Sequence, residues 1–409
     1  MNVLGLSAFA GESAAAVIRE GRLAAWAEEA SFTRGPVGVP WRAIEWCLRE
    51  AEVSAVHLEA VALAHKPLLA LDHLLSAALA DAPAGWQRFS SGAERRLADL
   101  ALGARLRVRL GFRGPLLYVE RLQALAQAAF EASGLERAAL LVAGARGEWS
   151  DSAIGRAERG TAVILAHLDH PHCVSTLWRS FWAASGLPPR KAAALAASGR
   201  PAADPQALRE LLDLRDDGSF RLDRVALGGP PLLDALGRGD AADAAAALQA
   251  ITEEVLLRMA AEARRLSGCE DLCAAGALAG NEAAMARLRA AGPGRVSACE
   301  GPLEAAAGAA LAVWRGALRR ERVDLSRPAV PPAPLREDAR RGRPWPVGAA
   351  RAATRAGCAA AYFLALTPYS LPLRLLGVEF LEERFRACGS YWKRRPLEGE
   401  GVRAYRRAF

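Results

Sequence analysis

The chain contains very little lysine, methionine or histidine. Of its 53 basic residues three are lysines (Lys66, Lys191 and Lys393), and this arginine bias, with abundant alanine, is typical of GC-rich coding and says little about function. Seven cysteines are scattered along 409 residues, an odd number without the spacing of a disulfide framework. The pattern excludes a disulfide-stabilised secreted scaffold and favours a reducing cytoplasm.

The N-terminus also lacks a basic segment followed by a long apolar run, so we predict no cleavable signal peptide. The net charge of +8 is unevenly distributed, because residues 336–409 carry 15 Arg and Lys against 7 Asp and Glu. A neutral body with a basic tail predicts that the tail meets an anionic surface; a solvated tail shaped by coding bias is the alternative. We predict no nucleic-acid partner.

Three short segments with strand patterns and tight turns open the chain, at Val3–Ala8, Ala14–Arg19 and Arg22–Glu29. A similar meander is predicted at Ala138–Gly144, Ser152–Glu158 and Thr161–Leu168. Such a duplication predicts an α/β fold, a two-lobed actin-like ATPase (ribonuclease-H-like) domain, followed by a helical basic tail. The predicted division is a first lobe over 1–134, a second lobe over 135–318, a Pro/Arg-rich linker over 319–349 and a tail over 350–409.

The remaining elements follow from apolar periodicity and turn residues. Helices are predicted at Pro40–Glu50, Leu69–Leu79, Arg121–Ala132, Ser175–Ala184, Asp240–Leu266, Asn281–Ala290 and Leu303–Arg320, and strands at Ala60–His65, Pro115–Glu120 and Leu272–Ala275.

An uncharged segment, Ala356–Leu373, lies in the tail between Arg355 and Arg374. It is close to the ~20 residues that a membrane-spanning helix needs, but Pro368 and Pro372 interrupt its second half. We therefore predict a kinked span or a pair of interfacial helices on an anionic membrane, with a buried core helix as the alternative. The predicted location is cytoplasmic with membrane association.

The sequence of residues 1–34 resembles that of a known family, because it contains the segments LGLSAF and SAAAVIREG and an EE…FTR ending. It resembles the N-terminus of NodU/CmcH-type carbamoyltransferases, and departs from it where the family's His-Asp is Gly11-Glu12 here. The resemblance extends to about residue 318 and implies ATP or carbamoyl-adenylate as ligand. The ending YFLALTPYSLPLRLLG…YWKRRP is similar to the small SxtJ-type proteins found with carbamoyltransferases in biosynthetic clusters.

The resemblance also implies a metal ion held by an HxxxH pair on a helix and by an Asp near the end of the domain. Aligning the family's EHHLSHAASAF with ERLQALAQAAF places Arg121 and Leu125 at the two histidine positions, and Pro302 takes the place of the Asp. A permanently charged guanidinium and two apolar side chains cannot bind a cation. We therefore predict no metal site and no catalytic residue.

The family's nucleotide loops are kept in part. The Asp of VDGRGEW is replaced by Gly144, while LAGGVALN survives as AAGALAGN. In that stretch Gly276 lets a ligand approach the backbone, and Asn281 either caps the next helix or reaches a ribose. The set predicted to form a weak, vestigial nucleotide site is Glu12, Gly147, Glu148, Lys191, Gly276 and Asn281.

Two other groups have a metal-site interpretation and a structural one. His167, His170 and His172 lie at a strand end, where we favour a helix-start histidine with exposed neighbours over a metal site. For Cys269 and Cys273 we favour core cysteines.

The functional hypotheses depend on a segment that is typical of the family and that this sequence does not contain after Arg320. No stretch similar to GRMEFGPRALGNRSIL, typical of the YrdC-like domain that makes carbamoyl-adenylate, follows Arg320. One hypothesis is a catalytically degenerate homologue, a scaffold or regulatory subunit beside an intact carbamoyltransferase. The other is an active O-carbamoyltransferase subunit that relies on a YrdC-like protein in trans. We favour the first because three ligand positions have changed.

Overall fold

The computed structural model describes residues 1–9, 12–33, 38–186, 192–199, 212–223, 241–299, 303–326, 328–331, 349–382, 388–395 and 405–406. Its contacts divide the chain into two compact units. Unit 1 contains Met1–Ala124, Ala305–Glu382 and Gly399–Phe409, and unit 2 contains Leu125–Glu304 and Glu383–Glu398. The C-terminal region, residues 305–409, therefore contributes to both units. The four-part division of the sequence stays a prediction.

Unit 1 begins with a five-stranded sheet. Its first three strands form an antiparallel meander, and two later strands add in parallel to the first, giving the order β3-β2-β1-β4-β5. The alternating apolar residues of β1 and β2 pack against the first helix in one buried cluster. The elements are β1 (Asn2–Phe9), β2 (Glu12–Arg19), β3 (Arg22–Glu28), α1 (Trp41–Glu50), β4 (Ala60–Leu63), α2 (Pro67–Asp81), α3 (Trp86–Leu100), α4 (Leu102–Leu110) and β5 (Leu116–Tyr118). Helix α5 (Arg121–Ser133) begins in unit 1 and continues into unit 2.

The long helix of unit 2 packs on a second sheet that repeats this arrangement. An antiparallel meander, β6-β7-β8, is extended beyond β6 by the parallel strands β11 and β12, while β9 and β10 form a separate pair. The elements are β6 (Arg137–Ala143), β7 (Ser150–Glu158), β8 (Thr161–Asp169), α6 (Val174–Ser185), α7 (Ala192–Ser198), β9 (Leu212–Leu214), β10 (Phe220–Leu222), α8 (Ala241–Ser267), β11 (Leu272–Ala275), α9 (Glu282–Ala290) and β12 (Val296–Cys299).

The two meanders lie in separate sheets of equivalent strand order, which confirms the predicted duplication. In each sheet the order is third, second and first strand of the meander, then two parallel strands. This repeated topology is that of the actin-like ATPase fold, so the predicted fold class is confirmed.

The C-terminal region begins with α10 (Leu303–Ala312), which continues as a π-helical turn to Ala317. The predicted helix to Arg320 is therefore a little too long. Part of the predicted linker then runs beside β3. The Leu23 amide donates to the Asp324 carbonyl (2.9 Å), and the Ala329 amide donates to the Ala24 carbonyl (2.8 Å).

A continuous helix follows in unit 1, formed by α11 (Ala349–Ala360), a π-helical turn at Ala361–Leu366 and α12 (Thr367–Leu375). The two prolines expected to interrupt it do not. Pro368 lies in the first turn of α12 and Pro372 inside it, after a turn whose π geometry already departs from regular α-helix bonding. Finally, β13 (Lys393–Arg394) pairs antiparallel with β8 in unit 2.

Candidate functional site

The carboxyl ends of parallel strands are where α/β sheets place ligands, and in unit 1 buried polar residues follow both such strands. His65 comes after β4, and Glu120 and Arg121 come after β5; their exposed fractions are 5%, 6% and 4%. His65 Nε2 lies 3.7 Å from Asp99 Oδ2, and Arg96 pairs with the same carboxylate at 3.3 Å. Burial raises the pKa of Asp99 although His65 and Arg96 oppose the shift.

The sequence analysis missed this His65–Asp99 pair. A histidine at the end of a predicted strand was its available signal, but the partner lies on α3, a helix that the sequence did not predict. The apolar periodicity of α3 is interrupted by serines, a glycine and arginines, which explains why that helix was missed.

Helix α5 carries the two positions at which the family resemblance implies metal-binding histidines. Arg121 begins the helix and Leu125 lies one turn later, with 4% and 3% exposure. A buried guanidinium and a buried leucine do not fit a metal ion. Within the described ranges, no three His, Cys, Asp or Glu side chains are grouped so that they could hold one.

In unit 2 the loop after β6 corresponds to the predicted phosphate loop. Gly144 has a positive φ of 75°, and the Gly147 amide donates to the Ser150 carbonyl at 3.0 Å. Glu148 is buried, with 3% exposure. The loop is closed by Asp151, which the sequence analysis did not single out.

Asp151 is 1% exposed, and its two carboxylate oxygens accept hydrogen bonds from two different segments of the chain. Oδ1 accepts from the Arg146 amide (2.9 Å) and Oδ2 accepts from Ser175 Oγ (2.7 Å). A carboxylate that accepts hydrogen bonds in this way holds a loop in one conformation. Asp151 therefore ties the phosphate-loop segment to the first turn of α6.

The loop after β11 contains the other predicted nucleotide residues. Gly276 has a φ of 88°, and a Cβ there would lie 2.4 Å from the carbonyl oxygen of Ala143, so its missing side chain is needed for packing between the two loops. Asn281 accepts from the Ala284 amide (3.1 Å) and exchanges two amide hydrogen bonds with Gln249 (2.8 and 3.0 Å). Of the two roles left open for Asn281, the structure shows the helix cap.

Three other positions from the sequence analysis fall wholly or partly outside the residues that the structure describes. Lys191 and Pro302 lie outside the described residues, as does the side chain of Glu12, whose backbone begins β2 opposite Phe9. The structure therefore does not bring the predicted nucleotide residues together as one described site.

The three histidines at the end of β8 have separate surroundings. His172 is buried and its Nδ1 accepts from the Leu222 amide at 3.0 Å, as expected for a histidine beside a helix start. The other two are half-buried rather than exposed. His167 lies between Asp169 and Arg395, and His170 Nδ1 is 3.8 Å from Cys173 Sγ.

The cysteine pair also differs between its members. Cys269 Sγ accepts a hydrogen bond from Arg137 Nε at 3.4 Å, whereas burial raises the pKa of Cys273 to about 11. A thiol with so high a pKa stays protonated at neutral pH, as is usual for a core cysteine.

Fold and sequence together define a class, the actin-like proteins with two repeated α/β sheets. Within it, the chain belongs to the family described as Carbamoyltransferase N-terminus, whose model matches residues 2–311. The uncharacterized protein sll1178 from Synechocystis sp. is 30% identical over 358 residues, which cover 79% of this chain. The chain spans 58% of the length of that relative. The NodU/CmcH subtype and the SxtJ-like tail stay predictions.

Solved structures give similarities of lower identity. Component A of (R)-2-hydroxyglutaryl-CoA dehydratase from Acidaminococcus fermentans is 14% identical, with 76% of this chain and 96% of that chain covered and a TM-score of 0.43. The ROK hexokinase from Thermus thermophilus is 17% identical, with 76% of this chain and 98% of that chain covered and a TM-score of 0.41. HypF from T. kodakarensis is 12% identical, with 76% of this chain and 47% of that chain covered and a TM-score of 0.45.

Proposed function

We propose that this carbamoyltransferase-family chain has lost metal-dependent transfer and acts as a scaffold or regulatory subunit beside an intact carbamoyltransferase. The observation that carries the proposal is α5, where Arg121 and Leu125 occupy the positions of the expected histidines and are both buried. A fixed positive charge at a ligand position repels a cation, and leucine offers no lone pair.

The packing of the nucleotide loops supports the same proposal. Gly276 uses its missing side chain against Ala143, and Asn281 is engaged by Ala284 and Gln249. In this structure these residues stabilise the chain itself. We therefore expect ATP binding to be weak or absent.

A second candidate is an O-carbamoyltransferase subunit that takes carbamoyl-adenylate from a YrdC-like protein in trans. The observation that favours it is the loop geometry, in which Gly144 has a positive φ and Asp151 holds the loop closed. In this function the loop backbone would contact phosphate without a metal ion held by α5.

Calorimetric titration of the full chain with ATP and magnesium distinguishes the two candidates. The proposal expects no binding in the low micromolar range, and such binding would instead support the active subunit. Elemental analysis of the same preparation tests the metal. Near one iron or zinc per chain, lost in His170→Ala but retained in the exposed-site control Val108→Ala, would overturn the proposal.

A further inference from the structure

The helix from Ala349 to Leu375 is docked on unit 1 by one narrow side. Every fourth residue from Thr354 to Ser370 is buried or half-buried, and Tyr362 and Ser370 are fully buried. The Tyr362 ring lies 5.1 Å from that of Phe89 and 5.5 Å from that of Trp86, both on α3. The docked side is formed by Thr354, Cys358, Tyr362, Leu366 and Ser370.

The rest of the helix presents large apolar side chains to solvent. Leu364, Leu375 and Leu376 are 79%, 89% and 79% exposed. Among the described helices, one stretch, Ala352–Leu375, is long and apolar enough to cross a membrane by length and composition alone, and 11% of its most apolar window is buried. It is therefore not the core helix that the sequence left as an alternative. We call the exposed set the apolar face; it contains Phe363, Leu364, Tyr369, Leu371, Leu375 and Leu376.

The charged residues within the helix itself are all basic. No Asp or Glu occurs from residue 349 to residue 378, whereas Arg351 precedes the apolar segment and Arg355 and Arg374 flank it. Two of these arginines are held in place, since Arg355 pairs with Glu94 (2.6 Å) and Arg374 Nη1 donates to the Ala82 carbonyl (2.5 Å), yet both stay exposed. An apolar surface with cations at both ends is complementary to an anionic lipid headgroup layer.

The docked side determines how the helix can meet a bilayer. A helix that spans the membrane would have to leave the Trp86–Phe89 cluster and expose Tyr362, whose contacts bury it completely. A helix that lies in the membrane plane keeps those contacts and buries the opposite side. We propose that the apolar face docks the protein on an anionic lipid bilayer in this in-plane manner, with unit 1 remaining outside the hydrocarbon.

Co-sedimentation of the full chain with vesicles tests the proposal. We expect binding to phosphatidylcholine vesicles that contain phosphatidylglycerol, and much weaker binding to pure phosphatidylcholine. High salt weakens binding only in part, because screening acts on the charges and not on apolar insertion. The double variant Leu364→Glu, Leu375→Glu should bind about a hundredfold more weakly, since each inserted leucine contributes about tenfold.

Val108→Glu is the matched control, because Val108 is 86% exposed on α4 of the same unit and outside the apolar face. It should bind vesicles like the unchanged protein, and all variants should keep the same thermal unfolding temperature. The proposal is overturned if the unchanged protein stays in the supernatant, if pure phosphatidylcholine binds it equally, or if the double variant binds normally. Light scattering that shows a dimer broken by the double variant, without vesicle binding, would assign the face to a second copy instead.

Discussion

The C-terminal region runs beside the third strand of the meander in both units, but it is held there differently. In unit 1 it follows β3 through backbone hydrogen bonds at Asp324 and Ala329, in parallel bridges. In unit 2 it adds β13 to β8, and side chains anchor the pairing. Both arrangements cover an edge that would otherwise offer unpaired backbone groups to another chain.

The anchor in unit 2 is Tyr391, which is 8% exposed and belongs to the core of that unit. The guanidinium groups of Arg215 and Arg221 lie 5.0 and 4.7 Å from its ring centroid, and its hydroxyl donates to Asp213. The neighbouring Trp392 donates from Nε1 to the Asp217 carbonyl at 3.1 Å. The comparison teaches that one edge depends on backbone geometry and the other on particular side chains.

The largest change in the free energy of unfolding is expected where α10 packs against β1 in unit 1. A Cβ at Gly5 of β1 would lie 2.0 Å from the Ala306 carbonyl oxygen on α10. Gly5→Val should therefore destabilise the protein by more than the ~1–3 kcal/mol of ordinary overpacking, because a backbone carbonyl cannot rotate away. Denaturant unfolding measures this, with Gly38→Val, which meets nothing within 4 Å, as the control.

Removing the anchor of unit 2 comes next. Tyr391→Ala should lower the free energy of unfolding by about 3 kcal/mol through lost aromatic packing. Tyr391→Phe, which keeps the ring and loses the hydroxyl contact to Asp213, should cost about 1 kcal/mol. If the alanine variant unfolds like the original protein, β13 is not anchored by this side chain.

Acid should loosen the same attachment. Burial alone would raise the pKa of Asp169, but the hydrogen bond with His167 and the ion pair with Lys393 (2.9 Å) outweigh it and hold that pKa well below 3.8. The stabilisation is therefore present above pH 3.8 and is lost as pH falls toward the folded-state pKa. Asp169→Asn should cost about 1.5 kcal/mol at neutral pH and flatten the acid limb of the stability profile.

The smallest effect is expected at the edge of unit 1. Asp324→Ala removes a carboxylate that accepts from the Ser326 amide (2.8 Å) but leaves the backbone pairing to β3 intact. The change in the free energy of unfolding should stay within about 0.5 kcal/mol. A loss as large as that of Tyr391→Ala would contradict the contrast between the two edges.

Local pattern was sufficient for most of the sheets. Period-two alternation and Gly-containing turns predicted both meanders, because successive side chains of a strand point to opposite faces of the sheet. Asn281 was predicted as a cap or a ligand group, and its cap role depends only on residues a turn away. The His65–Asp99 pair and the Asp151–Ser175 contact could not be predicted, since their partners are distant in sequence.

The contacts of Glu29 also could not be predicted from local sequence pattern. The sequence predicted it as the end of a strand, but its carboxylate accepts from the amides of Ala43 (2.8 Å) and Arg42 (3.3 Å) at the start of α1. That helix begins after Pro40, which offers no side-chain cap. Burial raises the pKa of Glu29, and the two amide hydrogen bonds only partly oppose the shift.

The sequence by itself determined the duplicated sheets and the family, because these follow from residue type and local period. Only the tertiary structure decided which side of the apolar C-terminal helix is covered. It also decided that Tyr391 is buried in the core of unit 2. A helix that is apolar on several sides has no preferred face in its own sequence. The face was selected by aromatic rings on α3, far away in the chain, that could surround Tyr362.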